Sequence, residues 1–204
     1  MPDLGLRGLL VDWGGVLTTS VFASFEAFCT REGLSPQTAR EAFRTDPAAR
    51  VALIGLETGT LSEVEFERRL APVLGVPPDD LIDRLNADVI PDDRMLAAIG
   101  EARANGLATG LISNSWGLDR YGPELLKLFD GVVISGQVGV RKPAPEMYLR
   151  GAQSVGLAPE QCVYVDDIAG NLKPARELGM TTVHHVATTT TLDELSRLFG
   201  IDLR

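Results

Sequence analysis

Carboxylate, hydroxyl and amide side chains follow three short apolar runs of this 204-residue chain, at the point where each run ends. The runs and the residues after them are 9–11 with Asp12, 111–112 with Ser113 and Asn114, and 163–165 with Asp166 and Asp167. Such runs, bounded by turn signals, are typical of buried parallel strands. Because an open parallel sheet binds ligands at the carboxyl ends of its strands, we expect these polar groups to meet at one place.

The adjacent acids Asp166 and Asp167 are the most informative pair. Two carboxylates directly after an apolar strand repel one another, and their burial is costly. A divalent cation removes both penalties, and hard oxygen ligands suit Mg²⁺. Asn171, one helical turn further on, could add a polar contact. The alternative is that one of the two acids caps the helix that follows.

Three further residues suit a phosphate site, although each alone is also compatible with an ordinary turn or surface residue. Asp12, before the Gly14-Gly15 turn, could be a nucleophile, a metal ligand or a cap, and glycines let the backbone approach a ligand closely. The Ser113 hydroxyl and the backbone N–H groups after it could bind an anion. Lys142, fixed in a loop by the next proline, could place a positive charge beside a phosphate.

Composition narrows the class of protein. The net charge of −9 argues against non-specific nucleic-acid binding, which needs an excess of Lys and Arg. The first residues lack the basic and then apolar pattern of a signal peptide, and apolar runs fall short of a membrane helix. We therefore expect a cytoplasmic protein with no membrane or nucleic-acid partner, and we expect Cys29 and Cys162 to be free thiols. The oligomeric state is left open.

The periodicity predicts two kinds of structure. Residues 18–90 are helical in pattern: apolar residues recur at helical spacing from Phe22 onward, Ser35 with a following proline suits a helix start, and Ser62 with Glu65 forms a capping box. From residue 91, helices at 92–105, 144–155, 169–178 and 191–199 alternate with strands at 107–112, 131–135, 162–165 and 181–186. Thr191 is the expected cap of the last helix. Alternation of this kind predicts a parallel α/β sheet with right-handed crossovers.

In their order and strand context, these motifs resemble the haloacid dehalogenase-like (HAD) superfamily, in its branch with a small helical cap after the first motif. Residues 10–17 resemble motif one, 111–114 motif two, 141–143 motif three, and 165–167 with Asn171 motif four. Residues 56–62 with Phe66 resemble a segment common in caps of this branch. We therefore expect a Rossmann-like three-layer core of residues 1–17 and 91–204, strand order 3-2-1-4-5, and a helical cap of residues 18–90 at the catalytic edge.

The resemblance implies a role for each motif residue. Asp12 would attack phosphorus and become an aspartyl phosphate. Mg²⁺ would be held by Asp12, the backbone carbonyl of Gly14 and Asp167. Ser113, the amide of Asn114 and Lys142 would bind the phosphoryl oxygens, and Lys142 could also hold the motif-four carboxylates. The expected reaction is Mg²⁺-dependent hydrolysis of a small phosphorylated metabolite, in which positioning and charge stabilisation provide most of the catalysis.

Gly14 departs from the family pattern. Most HAD phosphatases have a second aspartate there, which protonates the leaving group, and such general acid catalysis is worth about 10²–10⁴-fold. Members that resemble sugar-1-phosphate phosphatases also carry Asp-x-Gly and are regarded as active. We therefore expect a preference for good leaving groups, as in anomeric sugar phosphates, acyl phosphates and aryl phosphates.

Two alternatives remain. A 2-haloacid dehalogenase of the same fold also uses an aspartate nucleophile but needs no metal, and the acid pair with Gly14 disfavours it. A catalytically impaired binding or regulatory protein is favoured by the missing second aspartate and opposed by Asp12, Lys142 and Asp167. Trp13 and Trp116, directly after motifs one and two, could stack on a substrate ring or could be ordinary packing residues.

Overall fold

The architecture comes from a computed structural model, which describes residues 5–204; the predicted lack of a leader pattern at residues 1–4 lies outside this range. Five parallel strands form one sheet in the order β3-β2-β1-β4-β5, which confirms the predicted order. The strands are β1 (Gly8–Val11), β2 (Ala108–Ser113), β3 (Gly131–Ile134), β4 (Cys162–Asp166) and β5 (Thr181–His184). The central strand β1 pairs Gly8 with Ala108 on one side and with Cys162 on the other.

A helical insertion follows β1. It contains α1 (Val21–Arg31), α2 (Thr38–Thr45), α3 (Pro47–Glu57), α4 (Glu63–Leu74) and α5 (Leu81–Leu85). Buried side chains from all five helices, among them Phe28, Leu56, Phe66 and Leu81, form a hydrophobic cluster of their own. The chain enters and leaves the insertion at neighbouring positions, because Thr18 forms an antiparallel bridge with Pro91 and the Thr19 N–H donates to the Ile90 carbonyl at 2.8 Å.

The remaining helices cover both faces of the sheet. They are α6 (Asp93–Ala104), α7 (Pro123–Leu126), α8 (Ser135–Val138), α9 (Pro145–Ser154), α10 (Ala169–Glu177) and α11 (Thr188–Phe199). Leu9 and Val11 pack with α6 and α11, whereas Leu10 packs with α9 and α10. Because successive strand residues face opposite sides, a strand covered on both faces is apolar throughout. This arrangement explains the continuous apolar runs and gives three layers.

One local prediction is confirmed and two are wrong. The Ser62 capping box is present, with Glu65 N donating to Ser62 Oγ and Ser62 N to Glu65 Oε2, both at 3.3 Å. The helix expected to begin at Ser35 begins at Thr38 instead, and the Ser35 carbonyl accepts the Thr38 N–H in a turn. Helix α11 begins at Thr188, so Thr191 is a buried helical residue and not its cap. The Thr188 hydroxyl donates to the Asp92 carboxylate, which fixes the earlier start.

Two expectations from composition can also be compared with the structure. Cys29 and Cys162 are both buried free thiols, as predicted. Within residues 5–204, every helix is too short or too polar to cross a membrane.

Candidate active site

The carboxyl ends of three neighbouring strands bring the predicted polar residues together. Asp12 directly follows β1, Ser113 ends β2, and Asp166 and Asp167 lie at the end of β4. One oxygen from each of Asp12, Asp166 and Asp167 lies within 4.8 Å of the others. The site forms because β1 lies between β2 and β4, so residues distant in the chain share one edge of the sheet.

Lys142 is the positive centre of this edge. Its Nζ lies 2.7 Å from Asp12 Oδ1, 2.9 Å from Asp166 Oδ2 and 3.1 Å from the Tyr164 hydroxyl, and the side chain is 1% exposed. Burial alone would lower the pKa of Lys142, but the charges of Asp12 and Asp166 outweigh it and raise the pKa. The lysine is therefore a fixed, buried ammonium group held between two carboxylates.

Asp166 and Asp167 have different surroundings. Asp166 accepts hydrogen bonds from Asn171 Nδ2 at 3.0 Å, from the Ile168 N–H at 2.8 Å, and from the Tyr164 hydroxyl. Its oxygens thus contact Lys142, Asn171, Tyr164 and the Ile168 N–H. Helix α10 has Ile168 as its N-cap and no side-chain capping hydrogen bond, so the alternative that one of the two acids caps this helix is wrong. Asp167 Oδ1, by contrast, is buried with no hydrogen-bond partner among residues 5–204.

The carboxylates of Asp12 and Asp167 are suited to bind a cation. Burial raises the pKa of Asp12 to about 7 against the opposing effect of Lys142, and burial together with Asp166 raises the pKa of Asp167 to about 6. Gly15 has φ of +74°, and a Cβ there would collide with Asp167 Oδ2, so the turn after β1 packs directly against this carboxylate. An unpartnered buried oxygen among three carboxylates fits a hard divalent cation such as Mg²⁺.

The end of β2 is tied to the loop that carries Lys142. Asn114 Oδ1 accepts the Lys142 N–H at 2.7 Å, and Asn114 Nδ2 donates to the Lys142 carbonyl at 3.1 Å. Ser113 Oγ accepts a hydrogen bond from the Tyr121 hydroxyl at 2.9 Å, so this hydroxyl is oriented by the protein. The Asn114 side chain therefore positions the lysine, a contact that the sequence reasoning had not assigned to it.

Trp13 and Trp116 both line the cavity above the acidic residues, and both also pack against protein groups. The backbone N–H of Trp13 donates to Asp12 Oδ1 at 2.7 Å, and the Trp13 ring contacts the Tyr121 ring edge-on at 5.3 Å between centroids. The Arg120 guanidinium lies 4.9 Å from the centre of the Trp116 ring. Both tryptophans therefore line the cavity and pack against protein groups, and stacking on a substrate ring stays a prediction.

The sequence model of the haloacid dehalogenase-like hydrolases matches residues 6–179, which carry every residue of the site described above. The chain belongs to this family. Its fold agrees with a HAD family enzyme from Bacteroides thetaiotaomicron, with a TM-score of 0.71 and 23% identity over 96% of this chain and 98% of that chain. That enzyme has also been solved in complex with magnesium and inorganic phosphate, with a TM-score of 0.64 and 22% identity over 88% and 93%.

Curated relatives match only parts of this HAD-like hydrolase. Bifunctional epoxide hydrolase 2 of Rattus norvegicus is 34% identical over 115 residues, which are 52% of this chain and 21% of that protein. Glyceraldehyde 3-phosphate phosphatase of Methanocaldococcus jannaschii is 34% identical over 99 residues, 46% of this chain and 43% of that protein. The chain therefore spans well under two thirds of the length of these relatives.

The site of this HAD-like hydrolase contains residues that the sequence reasoning missed. Tyr164 binds both Lys142 and Asp166; it lies two residues before Asp166 on β4, and the period of two in a strand would have placed it on the same face. Glu57, at the end of α3, forms an ion pair with Arg141. Burial raises the pKa of Glu57 in spite of Arg141, and this pair joins the helical insertion to the residue before Lys142.

Proposed function

We propose that this HAD-like hydrolase is a Mg²⁺-dependent phosphatase that cleaves small phosphate monoesters through an aspartyl phosphate on Asp12. The observation that carries the proposal is the position of Asp12 beside a buried ammonium group and an unpartnered carboxylate oxygen. Lys142 Nζ lies 2.7 Å from Asp12 Oδ1, and Asp167 Oδ1 has no partner among residues 5–204. A phosphate dianion needs positive charge where it is attacked, and Lys142 together with a divalent cation at the carboxylates would provide it.

The proposed chemistry uses one oxygen of Asp12. Oδ1 accepts hydrogen bonds from Lys142 Nζ and from the Trp13 N–H, both at 2.7 Å, so Oδ2 is the oxygen that approaches phosphorus. A bond from Oδ2 to phosphorus forms as the bond from phosphorus to the leaving oxygen breaks. Water then attacks the aspartyl phosphate, which returns the carboxylate and releases inorganic phosphate. Mg²⁺, held by Asp12, the Gly14 carbonyl and Asp167, would screen the charge of the phosphate from its nucleophile.

The remaining residues bind the phosphoryl oxygens or position the groups that do so. Lys142 would neutralise charge on these oxygens in the transition state, and the Ser113 hydroxyl and the Asn114 backbone amide would donate hydrogen bonds to them. Asp166 and Asn171 act indirectly, since Asn171 Nδ2 holds both Asp166 oxygens at 3.0 Å and Asp166 holds Lys142. Gly14 provides no acid for the leaving group. The enzyme should therefore favour leaving groups that depart without a proton, as in sugar 1-phosphates, acyl phosphates and aryl phosphates.

The proposal assigns different functions to two regions of the chain. We assign catalysis to a core of residues 1–17 and 91–204 and substrate selection to a cap of residues 18–90, in a cytoplasmic protein. The cavity above Asp12 supports this division because helices of the insertion provide one wall and the ends of the strands provide the other. A small phosphorylated molecule is the partner that this arrangement fits.

The test is phosphate release from phenyl phosphate and from sugar 1-phosphates, with Mg²⁺ and with chelator. We expect turnover only with the metal, and Asp12→Asn should lower kcat by at least about 10⁴-fold. Asp202→Asn, a change at an exposed carboxylate, is the matched control and should keep full activity. Chloride release from a 2-haloacid in chelator would favour a dehalogenase instead. Failure to trap a phosphate or fluoroberyllate on Asp12 would favour a non-catalytic protein.

A further inference from the structure

A cavity of about 700 Å³ begins at Asp12 and continues into the helical insertion. Its size lies in the range of sites that enclose an organic ligand of drug size, roughly 300–1,000 Å³. Asp12 and Lys142 line one end of the cavity, and Phe43 and Phe66 of the insertion line it as well. The cavity therefore has room for much more than a phosphate group.

The insertion wall carries a row of phenylalanines: Phe22, Phe25, Phe43 and Phe66. Their rings contact one another in series, with centroid separations of 6.2 Å, 5.6 Å and 6.5 Å, and the last pair is stacked. Apolar side chains complete the wall; these are Val21, Leu53, Leu56, Ile82, Leu85 and Val89. All four rings line the cavity; Phe66 is buried, whereas the other three are partly exposed. An apolar surface of this extent facing a cavity indicates a ligand of matching character.

Several polar side chains that line the same cavity already have protein partners. Arg141 pairs with Glu57, and Asn86 Nδ2 donates to the Ile82 carbonyl of its own segment at 2.8 Å. Arg120 lies over the Trp116 ring and reaches Glu63 and Asp83 at 3.5 Å. A ligand rich in hydroxyl groups would have to displace these contacts in order to bond with Arg141, Asn86 or Arg120, and such displacement is costly. An apolar ligand leaves these contacts in place.

We infer, on the basis of the proposed phosphatase function, that the leaving group of the substrate is apolar and lies on the phenylalanine row while the phosphate lies at Asp12. The substrate should have a leaving group that departs without a proton, as Gly14 requires, and that is apolar, as the phenylalanine row requires. An aryl phosphate with apolar substituents meets both conditions. A sugar 1-phosphate meets only the first, since its hydroxyl groups would face phenylalanine rings. The substrate class that fits the whole cavity is therefore a hydrophobic aryl phosphate.

The experiment is a series of phenyl phosphates with ethyl, butyl and hexyl groups in the para position. Alkyl groups scarcely change the acidity of the phenol, so differences within the series report binding and not chemistry. We expect kcat/KM to rise about threefold for each added methylene until the cavity is filled, mainly through a lower KM. Hexose 1-phosphates should be poorer substrates than butylphenyl phosphate.

Phe43→Ser tests the row directly. We expect it to flatten the dependence of kcat/KM on chain length. Val51→Ser is the matched control, because Val51 is a 60% exposed residue of the insertion that does not line the cavity, and it should keep the full dependence. A cooperative thermal unfolding transition, followed by circular dichroism, shows in each case that the variant is folded.

A second measurement does not depend on catalysis. Trp13 and Trp116 are the two tryptophans of the chain and both line the cavity, so intrinsic fluorescence reports its occupancy. We expect 4-hexylphenylphosphonate, which cannot be hydrolysed, to change this fluorescence and to bind at least about tenfold more tightly than phenylphosphonate. Phe43→Ser should remove most of that difference, whereas Val51→Ser should not.

The outcomes separate the two proposals. Turnover of phenyl phosphate with no dependence on chain length, or better turnover of hexose 1-phosphates, would overturn the apolar leaving group and leave the phosphatase in place. No phosphate release from any ester in the series would overturn the phosphatase. In that case the phosphonate titration still decides whether the cavity selects apolar groups. Equal affinity for the two phosphonates would show that it does not.

Discussion

The two walls of the cavity are built on opposite principles. At the sheet edge, Lys142 is 1% exposed and touches Asp12, Asp166 and Tyr164, and each contact is a directed hydrogen bond or ion pair. On the helical insertion, rings such as Phe25 and Phe43 are half-buried and meet at 5.6 Å with no polar contact between them. Directed contacts fix atoms in place, whereas apolar contacts tolerate changes of shape. The proposed chemistry at one wall and the proposed substrate selection at the other fit this difference.

The difference predicts unequal costs of mutation. Removing one member of a buried charge network leaves its partners without compensation, and the low local dielectric makes that loss large. Removing one ring from the insertion wall loses only the contact area of that ring, which neighbouring apolar groups can partly replace. Phe43→Ser, described above, tests the loss of a ring. Three further substitutions test the sheet edge, the boundary between the two regions, and the ion pair that joins them.

Lys142→Met has the largest expected effect. It leaves Asp12 and Asp166 buried without a cation, so we expect unfolding free energy to fall by about 3–5 kcal/mol and kcat to fall at least about 10³-fold. Urea denaturation and phosphate release measure the two effects. Adding Asp166→Asn should recover part of the stability and none of the activity. Lys173→Met, at an exposed lysine, is the control, and a single Lys142→Met variant as stable as this control would refute the buried network.

Gly14→Asp restores the acid that the family pattern places there. A Cβ at position 14 would lie 2.8 Å from Val21 Cγ2 of the insertion, so the substitution should be combined with Val21→Ala to make room. We expect kcat/KM for alkyl phosphates to rise by up to about 10²-fold, with little change for 4-nitrophenyl phosphate, whose leaving group needs no proton. Val21→Ala alone is the control. An equal effect on both substrates would contradict the missing acid as the cause.

Glu57→Gln weakens the connection between the two regions and has the smallest expected effect of the three. It leaves Arg141 without its charged partner, and we expect a loss of about 2 kcal/mol in unfolding free energy. We also expect about a tenfold lower kcat/KM for hexylphenyl phosphate, since the phenylalanine row is then less well placed relative to Lys142. Glu177→Gln, at an exposed helical position, is the control. Unchanged stability with unchanged kcat/KM would show that the pair positions nothing.

The contrast also explains which features could be predicted from the sequence. Asp12, Asp166 and Asp167 could be placed together because strand patterns and parallel topology fix where a strand ends. The start of α11 could not be predicted in this way. Its first residue, Thr188, donates a hydrogen bond to the Asp92 carboxylate, and the two residues are 96 positions apart. Long-range contacts of this kind leave no local signal.

The phenylalanine row shows a second limit. Phe25 and Phe28 occur in one apolar pattern, yet Phe28 is fully buried in the cluster of the insertion whereas Phe25 faces the cavity. Helical periodicity predicts which face of a helix is apolar, but not whether that face meets protein or empty space. The Glu57–Arg141 ion pair was hidden for a related reason, because its two residues lie in regions whose relative placement the sequence does not give.

The chain enters and leaves the helical insertion at neighbouring positions, at the Thr18–Pro91 bridge, and this has a consequence for how such a protein can diversify. Thr19 and Ile90 are within one hydrogen bond of each other, at 2.8 Å, so everything between them could be replaced by another loop or bundle without stretching the strand that holds Asp12. The reacting groups would stay in register while the neighbouring module was exchanged. A junction of this kind allows inherited chemistry to be fitted to new molecules by swapping a single continuous stretch of chain.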